Sequence, residues 1–281
     1  MRPDYLVIGH VTRDVQKDGS ILPGGTVTYA ALTARNLGRR VAVVTSHAGD
    51  IDLEEVFQGI EVASCPAEST TTFENVYLNG TRQQYVRAVA APLGPEHIPS
   101  EWRDVPLVHL GPLVREVAPE LVDAFPSALI GVTPQGWMRR WDASGWVRTA
   151  PWAEAERILA RANVLILSEE DTGGDRPRLE SYLSMAQLAV VTDGRHGAVV
   201  TTTAGTRSLP AYEIQEVDPT GAGDVFAAAY LTALSEDADP YRAASFANAV
   251  ASFSVEARGL EGIPTLAQVK ERMAHGTLRT D

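Results

Sequence analysis

The chain has 281 residues, 44% of them hydrophobic, and a formal net charge of −12 at pH 7. This length allows one large domain or two modest ones, of which the patterns described below favour a single domain over residues 1–281. The negative charge argues against a nucleic-acid surface or an anionic membrane as partner. No apolar stretch reaches membrane-spanning length and no signal region stands at the start, so a cytoplasmic protein is expected.

The first 50 residues predict a strand, a helix and a second strand. Residues 4–11 are largely apolar, which is typical of a buried parallel strand. Residues 26–38 place apolar side chains at helical spacing and stop at Gly38. Residues 40–49 are again apolar, so the three segments together predict a βαβ unit.

Two segments predict strands outside the main sheet. Residues 16–25 contain an Asp-Gly turn and a double glycine, which favour a short hairpin. Residues 70–90 alternate polar and apolar side chains on both sides of Asn79-Gly80, a strong hairpin signal. We therefore expect a small β lid built from residues 12–25 and 70–90.

Further along the chain, apolar strands alternate with helical stretches. The predicted strands cover residues 105–111, 128–134, 163–168 and 189–194. Helices are predicted around residues 115–125, 152–162 and 175–186, and the tail from Gly221 is largely helical. The expected fold class is α/β, with a mostly parallel central sheet, helices on both faces and the small β lid.

The segment Gly221-Ala222-Gly223-Asp224 carries the strongest chemical signal. It is predicted to open a helix just after a strand that ends near Val217. Small residues let successive backbone N–H groups point at one spot, where the helix dipole adds positive potential. Such an anion hole suits a transferring phosphoryl group, and Asp224 beside it could accept a proton from an attacking hydroxyl. An ordinary helix cap explains the same residues.

The run from Asp218 to Asp224, DPTGAGD, resembles the C-terminal signature of the ribokinase-like (PfkB) carbohydrate kinases, Asp-Thr-x-Gly-Ala-Gly-Asp. This pattern is far more specific than a single glycine-rich loop. The resemblance implies a ribokinase-like fold and a kinase that uses ATP and Mg²⁺. It also implies that Asp224 is the general base and that Gly221, Ala222 and Gly223 form the anion hole.

The resemblance continues in order along nearly the whole chain. Asp14 resembles the substrate-binding aspartate of the family, although an aspartate after a strand is also a common turn residue. Gly24-Gly25 resembles the di-glycine hinge between lid and large domain. On the nucleotide side the resemblance implies roles for Thr192, Gly194, Gly197, Thr220 and Asn248, the last of them against the adenine.

Three features bear on the metals and the acceptor. Asp171 stands where the family has the Glu of its Asn-x-x-Glu motif, so Glu170 and Asp171 compete as the carboxylate that organises Mg²⁺. The resemblance also implies a K⁺ site near Asp218. Tyr29 stands where many ribokinases have a substrate-side Asn, which weakens the case for ribose.

The lid has few cations, apart from Arg82 and Arg87, so an unphosphorylated polyol is favoured over a sugar phosphate. Arg82 is a candidate substrate contact, and the alternative is a solvated strand residue. Residues 132–142, VTPQGWMRRWD, resemble a segment of the myo-inositol kinase branch. That resemblance would bring Gln135 near the site, although a Pro-Gln-Gly turn explains this residue equally well.

The expected activity is transfer of the ATP γ-phosphate to a hydroxyl of a small polyol or sugar, with a myo-inositol-like polyol favoured. One alternative is a nucleoside or other sugar kinase of the same family. Another is a homologue that binds a ligand without turnover. A homodimer through the edge strands of the lid is also expected, because exposed strands tend to be covered.

Overall fold

Strands and short helices alternate along the chain. The computed structural model describes residues 2–78 and 81–280, apart from the side chains of residues 77, 78, 81 and 82. The strands are β1 (Tyr5–Ile8), β2 (Thr12–Val15), β3 (Ile21–Gly24), β4 (Val41–His47), β5 (Glu61–Pro66), β6 (Thr72–Leu78), β7 (Thr81–Ala88), β8 (Leu107–Leu110), β9 (Leu129–Val132), β10 (Arg139–Trp141), β11 (Val147–Thr149), β12 (Val164–Ser168), β13 (Leu188–Thr192), β14 (Ala198–Thr202) and β15 (Gly205–Leu209). The α-helices are α1 (Thr26–Asn36), α2 (Leu53–Val56), α3 (Ala155–Leu159), α4 (Arg176–Met185), α5 (Ala222–Asp237), α6 (Pro240–Ser254) and α7 (Leu266–His275). Short 3₁₀ helices span Pro95–His97, Ser100–Trp102, Pro119–Asp123, Pro134–Met138, Glu169–Thr172, Gly194–His196 and Gly259–Gly262.

Nine strands form the main sheet, in the order β15-β14-β13-β12-β9-β8-β1-β4-β5. From β13 to β5 all neighbours pair in parallel, and β14 and β15 add an antiparallel edge. β1 and β8 are buried along their whole length, as expected for strands covered on both faces. The predicted α/β class with a mostly parallel sheet is therefore confirmed.

Helices cover both faces of the main sheet and divide the core into two. On one face α1, α5, α6 and α7 pack together, and α5 is buried from Val225 to Thr232. On the other face α3 and α4 pack with Trp137 of the 3₁₀ helix Pro134–Met138 and with Trp152, whose rings stack with centroids 5.2 Å apart. Of the helices in the described residues, none is both long and apolar enough to cross a membrane.

A separate four-stranded sheet has the order β3-β2-β6-β7, and we call it the small sheet. β2 is antiparallel to β3 and parallel to β6, while β6 and β7 form an antiparallel pair. These strands fall within the two segments predicted to form the lid. The predicted turn Asn79-Gly80 lies outside the described residues. Phe73 and Val86 of the small sheet pack on Leu113 and Val114, which fixes this sheet beside the end of β8.

Two predicted elements differ from the structure. The helix expected around residues 115–125 is the short 3₁₀ helix Pro119–Asp123. The strand expected to end near Val217 was wrong, because residues 213–217 carry no regular structure and the Val217 side chain is 54% exposed. The N–H groups of Val217 and Asp218 donate to the carbonyl of Val255, at 2.7 and 3.2 Å. This segment is therefore held by the end of α6 and not by the sheet.

Candidate active site

A cavity of about 530 Å³ lies at the carboxyl ends of the parallel strands, the usual binding crevice of an open α/β sheet. We define its two ends by the residues that line them. The small-sheet end is lined by Asp14, Gly25, Tyr29, Phe73, Asn75, Gln84 and Arg139. The α6 end is lined by Thr192, Gly194, Gly197, Ala211, Ile214, Asn248 and Ala251. α5 packs against both α1 and α6, and its first turn also lines the cavity.

The start of α5 presents backbone N–H groups to this cavity. Gly221 precedes the helix with a φ of 79°, in the left-handed region that favours glycine. The N–H of Ala222 donates to the carbonyl of Pro219 at 3.2 Å, whereas those of Gly223 and Asp224 have no partner within the described residues. These two N–H groups and the positive helix end can therefore bind an anion.

Asp224 is half-buried in the first turn of α5. Its Oδ1 accepts a hydrogen bond from the Thr26 hydroxyl at 2.8 Å. Burial raises the pKa of Asp224 to about 6, against the opposing effects of the Thr26 hydrogen bond and the positive charge of Arg139. The carboxylate is therefore mostly ionised at pH 7 and has a proton affinity suited to a general base.

Tyr29 connects α1 to the start of α5. It is only 4% exposed, and a Cβ added to Gly221 would overlap its ring. Burial, followed by the charges of Asp14 and Asp224, raises the pKa of Tyr29, so its hydroxyl stays protonated and can donate. Tyr29 thus lines the cavity and packs against Gly221 at the start of α5, while its predicted substrate contact stays a prediction.

The di-glycine brings Asp14 against the backbone of β3. A Cβ at Gly24 would overlap the Asp14 carboxylate, so only glycine leaves that carboxylate its place. Gly25 has a φ of 91° and lines the cavity, while Gly24 lies behind Asp14. Asp14 Oδ1 accepts from the Thr12 hydroxyl at 2.8 Å. Asp14 is therefore held by its neighbours at the small-sheet end, where the sequence predicted a substrate contact.

Sequence reasoning missed several residues of the site, namely Phe73, Asn75 and Gln84 of the small sheet, and also Thr26 and Arg139. Thr26 is the hydrogen-bond donor to Asp224. It directly follows Gly24-Gly25 at the start of a predicted helix, and this position could have indicated a site residue. Arg139 lines the small-sheet end with its guanidinium 5.4 Å from the Phe73 ring centroid, and it donates to the Leu113 carbonyl at 3.3 Å. Arg139 belongs to the segment 132–142, from which the resemblance indicated only Gln135 as a site residue.

Of the two predicted lid arginines, the structure describes the side chain of Arg87 alone. The side chain of Arg82 lies outside the described residues. Arg87 forms an ion pair with Glu74 at 2.7 Å and its guanidinium carbon lies 4.5 Å from the centroid of the Tyr85 ring. Arg87 does not line the cavity, so among the described side chains Arg139 is the cation at the small-sheet end.

Glu170 and Asp171, the two candidate magnesium ligands, both line the cavity but differ in their hydrogen bonds. Asp171 accepts from the Ser168 N–H and from the Gln135 amide, both at 2.8 Å. Gln135 therefore lies at the cavity, as predicted, with its amide nitrogen engaged. Glu170 is exposed and its carboxylate has no hydrogen-bond partner in the described part of the chain. Within those residues no three His, Cys, Asp or Glu side chains are grouped to hold a metal.

Asp218 lies behind the cavity wall. Its Oδ1 accepts from the Thr220 N–H at 3.0 Å and its Oδ2 from the Gly259 N–H at 3.5 Å. Thr220 itself lines the cavity. These bonds tie the loop before α5 to the 3₁₀ helix Gly259–Gly262, so Asp218 has a structural role, and the predicted K⁺ site stays a prediction.

At the α6 end the predicted nucleotide residues come together. Gly197 has a φ of 95°, and a Cβ there would overlap the carbonyl of Leu209. Asn248 donates from Nδ2 to the carbonyls of Leu209 and Pro210, at 2.9 and 3.1 Å. Both residues therefore shape the wall formed by residues 209–211. The wall continues with apolar side chains, Ala211, Ile214, Ala251 and Val255.

Comparison with known proteins extends these observations. Residues 153–266 match the sequence profile described as pfkB family carbohydrate kinase. A curated cytidine kinase of Thermococcus kodakarensis is 26% identical over 258 residues, covering 83% of this chain and 88% of that protein. The ribokinase of Bacillus subtilis is 40% identical over 87 residues, which cover 30% of this chain and only 29% of that protein.

A solved structure shares the fold along almost the whole chain. It is a pyrophosphate-dependent kinase in the ribokinase family, complexed with a pyrophosphate analog and myo-inositol. The TM-score is 0.76 with 23% sequence identity, and the match covers 95% of this chain and 99% of that one. The family match and the kinases among the relatives support a phosphotransferase with a hydroxyl acceptor.

Proposed function

We propose that this chain, which carries a PfkB carbohydrate kinase domain in a ribokinase-like fold, transfers the γ-phosphate of ATP to a hydroxyl of a small polyol or sugar. The observation that carries the proposal is the start of α5. There the carboxylate of Asp224 lies beside two backbone N–H groups without partners in the described residues. A base next to an anion hole is the arrangement that phosphoryl transfer to a hydroxyl requires.

In the proposed reaction the acceptor lies at the small-sheet end and the donor at the α6 end. The acceptor oxygen forms a bond to the γ-phosphorus while the bond from that phosphorus to the β–γ bridging oxygen breaks. The acceptor proton passes to Asp224, which is mostly ionised at pH 7 because its pKa is about 6. The N–H groups of Gly223 and Asp224 stabilise the negative charge of the transferring group.

Magnesium, when bound with the nucleotide, supplies positive charge that offsets the charge of the phosphates. The oxygen donors present at the cavity fit such a hard cation, and Glu170 would hold it because no described residue forms a hydrogen bond or ion pair with its carboxylate. Asp171, with both oxygens already accepting hydrogen bonds, would position Gln135 and the strand end. We also predict that the activity depends on K⁺ bound near Asp218.

The α6 end supports ATP as donor. Its apolar wall of Ala211, Ile214, Ala251 and Val255 extends the cavity well beyond the space that two phosphates need. Apolar surface of this kind suits a nucleobase. Pyrophosphate is the alternative donor, because the solved structure with the same fold is a pyrophosphate-dependent kinase. Since ATP is an intracellular donor, we also propose a cytoplasmic location.

The small-sheet end supports a polyol as acceptor. Asp14, Asn75 and Gln84 offer carboxylate and amide groups that match several hydroxyls, and Phe73 gives an apolar wall. Arg139 adds one cation, but its positive charge also acts on Asp224, where it lowers the pKa, and its guanidinium carbon lies 5.4 Å from the Phe73 ring centroid. We therefore favour a myo-inositol-like polyol, with a nucleoside or another sugar as the alternative acceptor.

Motion of the small sheet and dimer formation are further parts of the proposal. Closure of the small sheet over Gly24-Gly25 would exclude water, which otherwise competes as acceptor. β3 is an edge strand of the small sheet and exposes Ile21 and Leu22 by 43% and 46%. An edge of this kind favours a covered interface, and analytical ultracentrifugation would give the oligomeric state.

The test is an assay of acceptor-dependent ADP or phosphate formation with Mg²⁺. Myo-inositol, ribose, fructose, 2-keto-3-deoxygluconate and nucleosides are the acceptors, and ATP and pyrophosphate are the donors. Turnover with ATP and one polyol or sugar would support the proposal. Turnover with pyrophosphate alone would contradict ATP as donor. ATP binding without turnover on any acceptor would favour a ligand-binding homologue.

A further inference from the structure

The segment that follows α7 returns to the cavity. The Thr277 carbonyl accepts from the Glu213 N–H at 2.9 Å, and the Arg279 N–H donates to the Ala211 carbonyl at 2.9 Å. Tyr212 and Leu278 form an antiparallel bridge between these two bonds. The segment 276–280 is therefore paired along residues 211–213, the same stretch that forms part of the wall at the α6 end.

This pairing brings the side chain of Arg279 to the cavity. Its Nε is buried without a hydrogen-bond partner, and the guanidinium forms no ion pair, within the described residues. A guanidinium stays charged at all physiological pH values and a buried donor without a partner is unfavourable. Arg279 is thus a cation at the cavity that no carboxylate of the described residues neutralises, so a ligand in the cavity can contact its guanidinium.

The residues around Arg279 indicate which part of a bound nucleotide its guanidinium would contact. Phosphate groups are expected at the start of α5, where the N–H groups of Gly223 and Asp224 are available. Arg279 lies instead beside Ala211, at the end whose other walls are Ile214, Ala251 and Val255. An apolar slot bordered by a guanidinium suits a flat aromatic ring, because a guanidinium stacks on aromatic faces.

We propose that Arg279 contacts the base of the donor nucleotide and that segment 276–280 is therefore part of the donor site. This inference rests on the proposed function, since it takes the donor to be ATP. Arg279 acts on donor affinity and not on the chemical step. It distinguishes a nucleoside triphosphate from a bare polyphosphate, which has the phosphates but no ring for the guanidinium to contact.

The test compares binding of ATP and of inorganic tripolyphosphate by titration calorimetry, which needs no knowledge of the acceptor. The proteins are the wild type, Arg279→Met and Arg279→Lys. Arg176→Met is the matched control, since Arg176 is 82% exposed on α4 and, among the residues that the structure describes, pairs with the exposed Glu180 alone. For Arg279→Met we expect the Kd for ATP to rise roughly tenfold and the Kd for tripolyphosphate to change less than about twofold. Arg279→Lys, which keeps the charge but loses the planar group, should fall between, and the control should match the wild type.

Each outcome decides a separate point. Unchanged ATP binding in Arg279→Met would overturn the inference and leave the proposed function intact. An equal loss of ATP and tripolyphosphate binding would also overturn it, because the contact would then be to phosphate. A wild type that binds tripolyphosphate as tightly as ATP would contradict the base-side site altogether. Failure of the wild type to turn over any acceptor, with ATP binding still dependent on Arg279, would count against the proposed kinase activity alone.

Discussion

The two ends of the cavity are built in different ways. At the α6 end the wall consists of backbone turns and apolar side chains, shaped by Gly197 and by Asn248, which holds residues 209–210. At the small-sheet end the wall consists of polar side chains from separate strands and loops, such as Asp14 and Arg139. The first construction suits a donor with invariant phosphates and a flat base. The second suits an acceptor that is distinguished by the number and position of its hydroxyls.

Asp224 lies where the two ends meet, so its removal should have the largest effect. In Asp224→Asn the acceptor proton loses its base, and kcat should fall by about 10²–10⁴-fold. ATP binding should change less than about threefold, because the N–H groups at the start of α5 remain. Steady-state kinetics and titration calorimetry on the same preparation would separate the two. A variant with kcat within a few fold of the wild type would contradict the assignment of the base.

Asp224→Asn should not destabilise the fold, so a loss of activity in this variant cannot be explained by unfolding. Burial raises the pKa of Asp224 from 3.8 to about 6, so the folded state favours the protonated carboxyl. The ionised form therefore costs stability above pH 6, and this cost disappears below about pH 4. Asp224→Asn should thus be more stable than the wild type by about 1–2 kcal/mol at pH 8 and equal to it at low pH. Urea unfolding at the two pH values would measure this.

Substitution of Asp14 should weaken binding of the acceptor and leave binding of the donor unchanged. Its carboxylate is replaced by a neutral amide in Asp14→Asn, so KM for the acceptor should rise roughly 10- to 100-fold, with a smaller change in kcat and none in KM for ATP. Asp18→Asn is the matched control, because Asp18 is an exposed loop aspartate whose carboxylate bonds Ser20. An unchanged acceptor KM with a loss of kcat as large as that of Asp224→Asn would contradict the division between the two ends.

Alanine substitutions at Gly221 and Gly223 test whether contact with Tyr29 fixes the start of α5, where the two ends of the cavity meet. A Cβ at Gly221 would overlap the Tyr29 ring, and its φ of 79° is unfavourable for alanine, whereas a Cβ at Gly223 meets nothing within 4 Å. Gly221→Ala should lower the free energy of unfolding by about 2 kcal/mol or more. Gly223→Ala should leave it unchanged or raise it slightly, by about 0.5–1 kcal/mol, because alanine favours the helix. Equal stabilities of the two variants in urea would show that Tyr29 does not fix the start of α5.

Thr26 should produce the smallest effect, and one that depends on pH. The hydrogen bond from its hydroxyl lowers the pKa of Asp224, so Thr26→Val should raise that pKa. We expect kcat/KM to fall about threefold near pH 6 and to be nearly unchanged at pH 8. Thr33→Val on the same helix is the control, because the Thr33 hydroxyl has no hydrogen-bond partner in the described residues. A loss that is uniform across pH would indicate a packing effect instead.

The two ends also differed in how far the sequence could predict them. At the α6 end and at α5, backbone geometry requires glycine at Gly197 and at Gly221, and both lie in short glycine-rich patterns that can be recognised directly in the sequence. At the small-sheet end, Phe73, Gln84 and Arg139 come from distant parts of the chain, and only the fold brings them together. The strand predicted near Val217 failed for a related reason, since an apolar residue there is exposed and its backbone pairs with a helix end.

The most direct test of the central claim is the pH dependence of kcat/KM for the acceptor at saturating MgATP. If Asp224 is the base, the rate should rise about tenfold per pH unit below its pKa of about 6 and level off above about pH 7, because only the ionised carboxylate accepts the proton. The residual rate of Asp224→Asn should lack this limb. A rate that does not depend on pH between about 5 and 8, or a limb that persists in Asp224→Asn, would contradict the account.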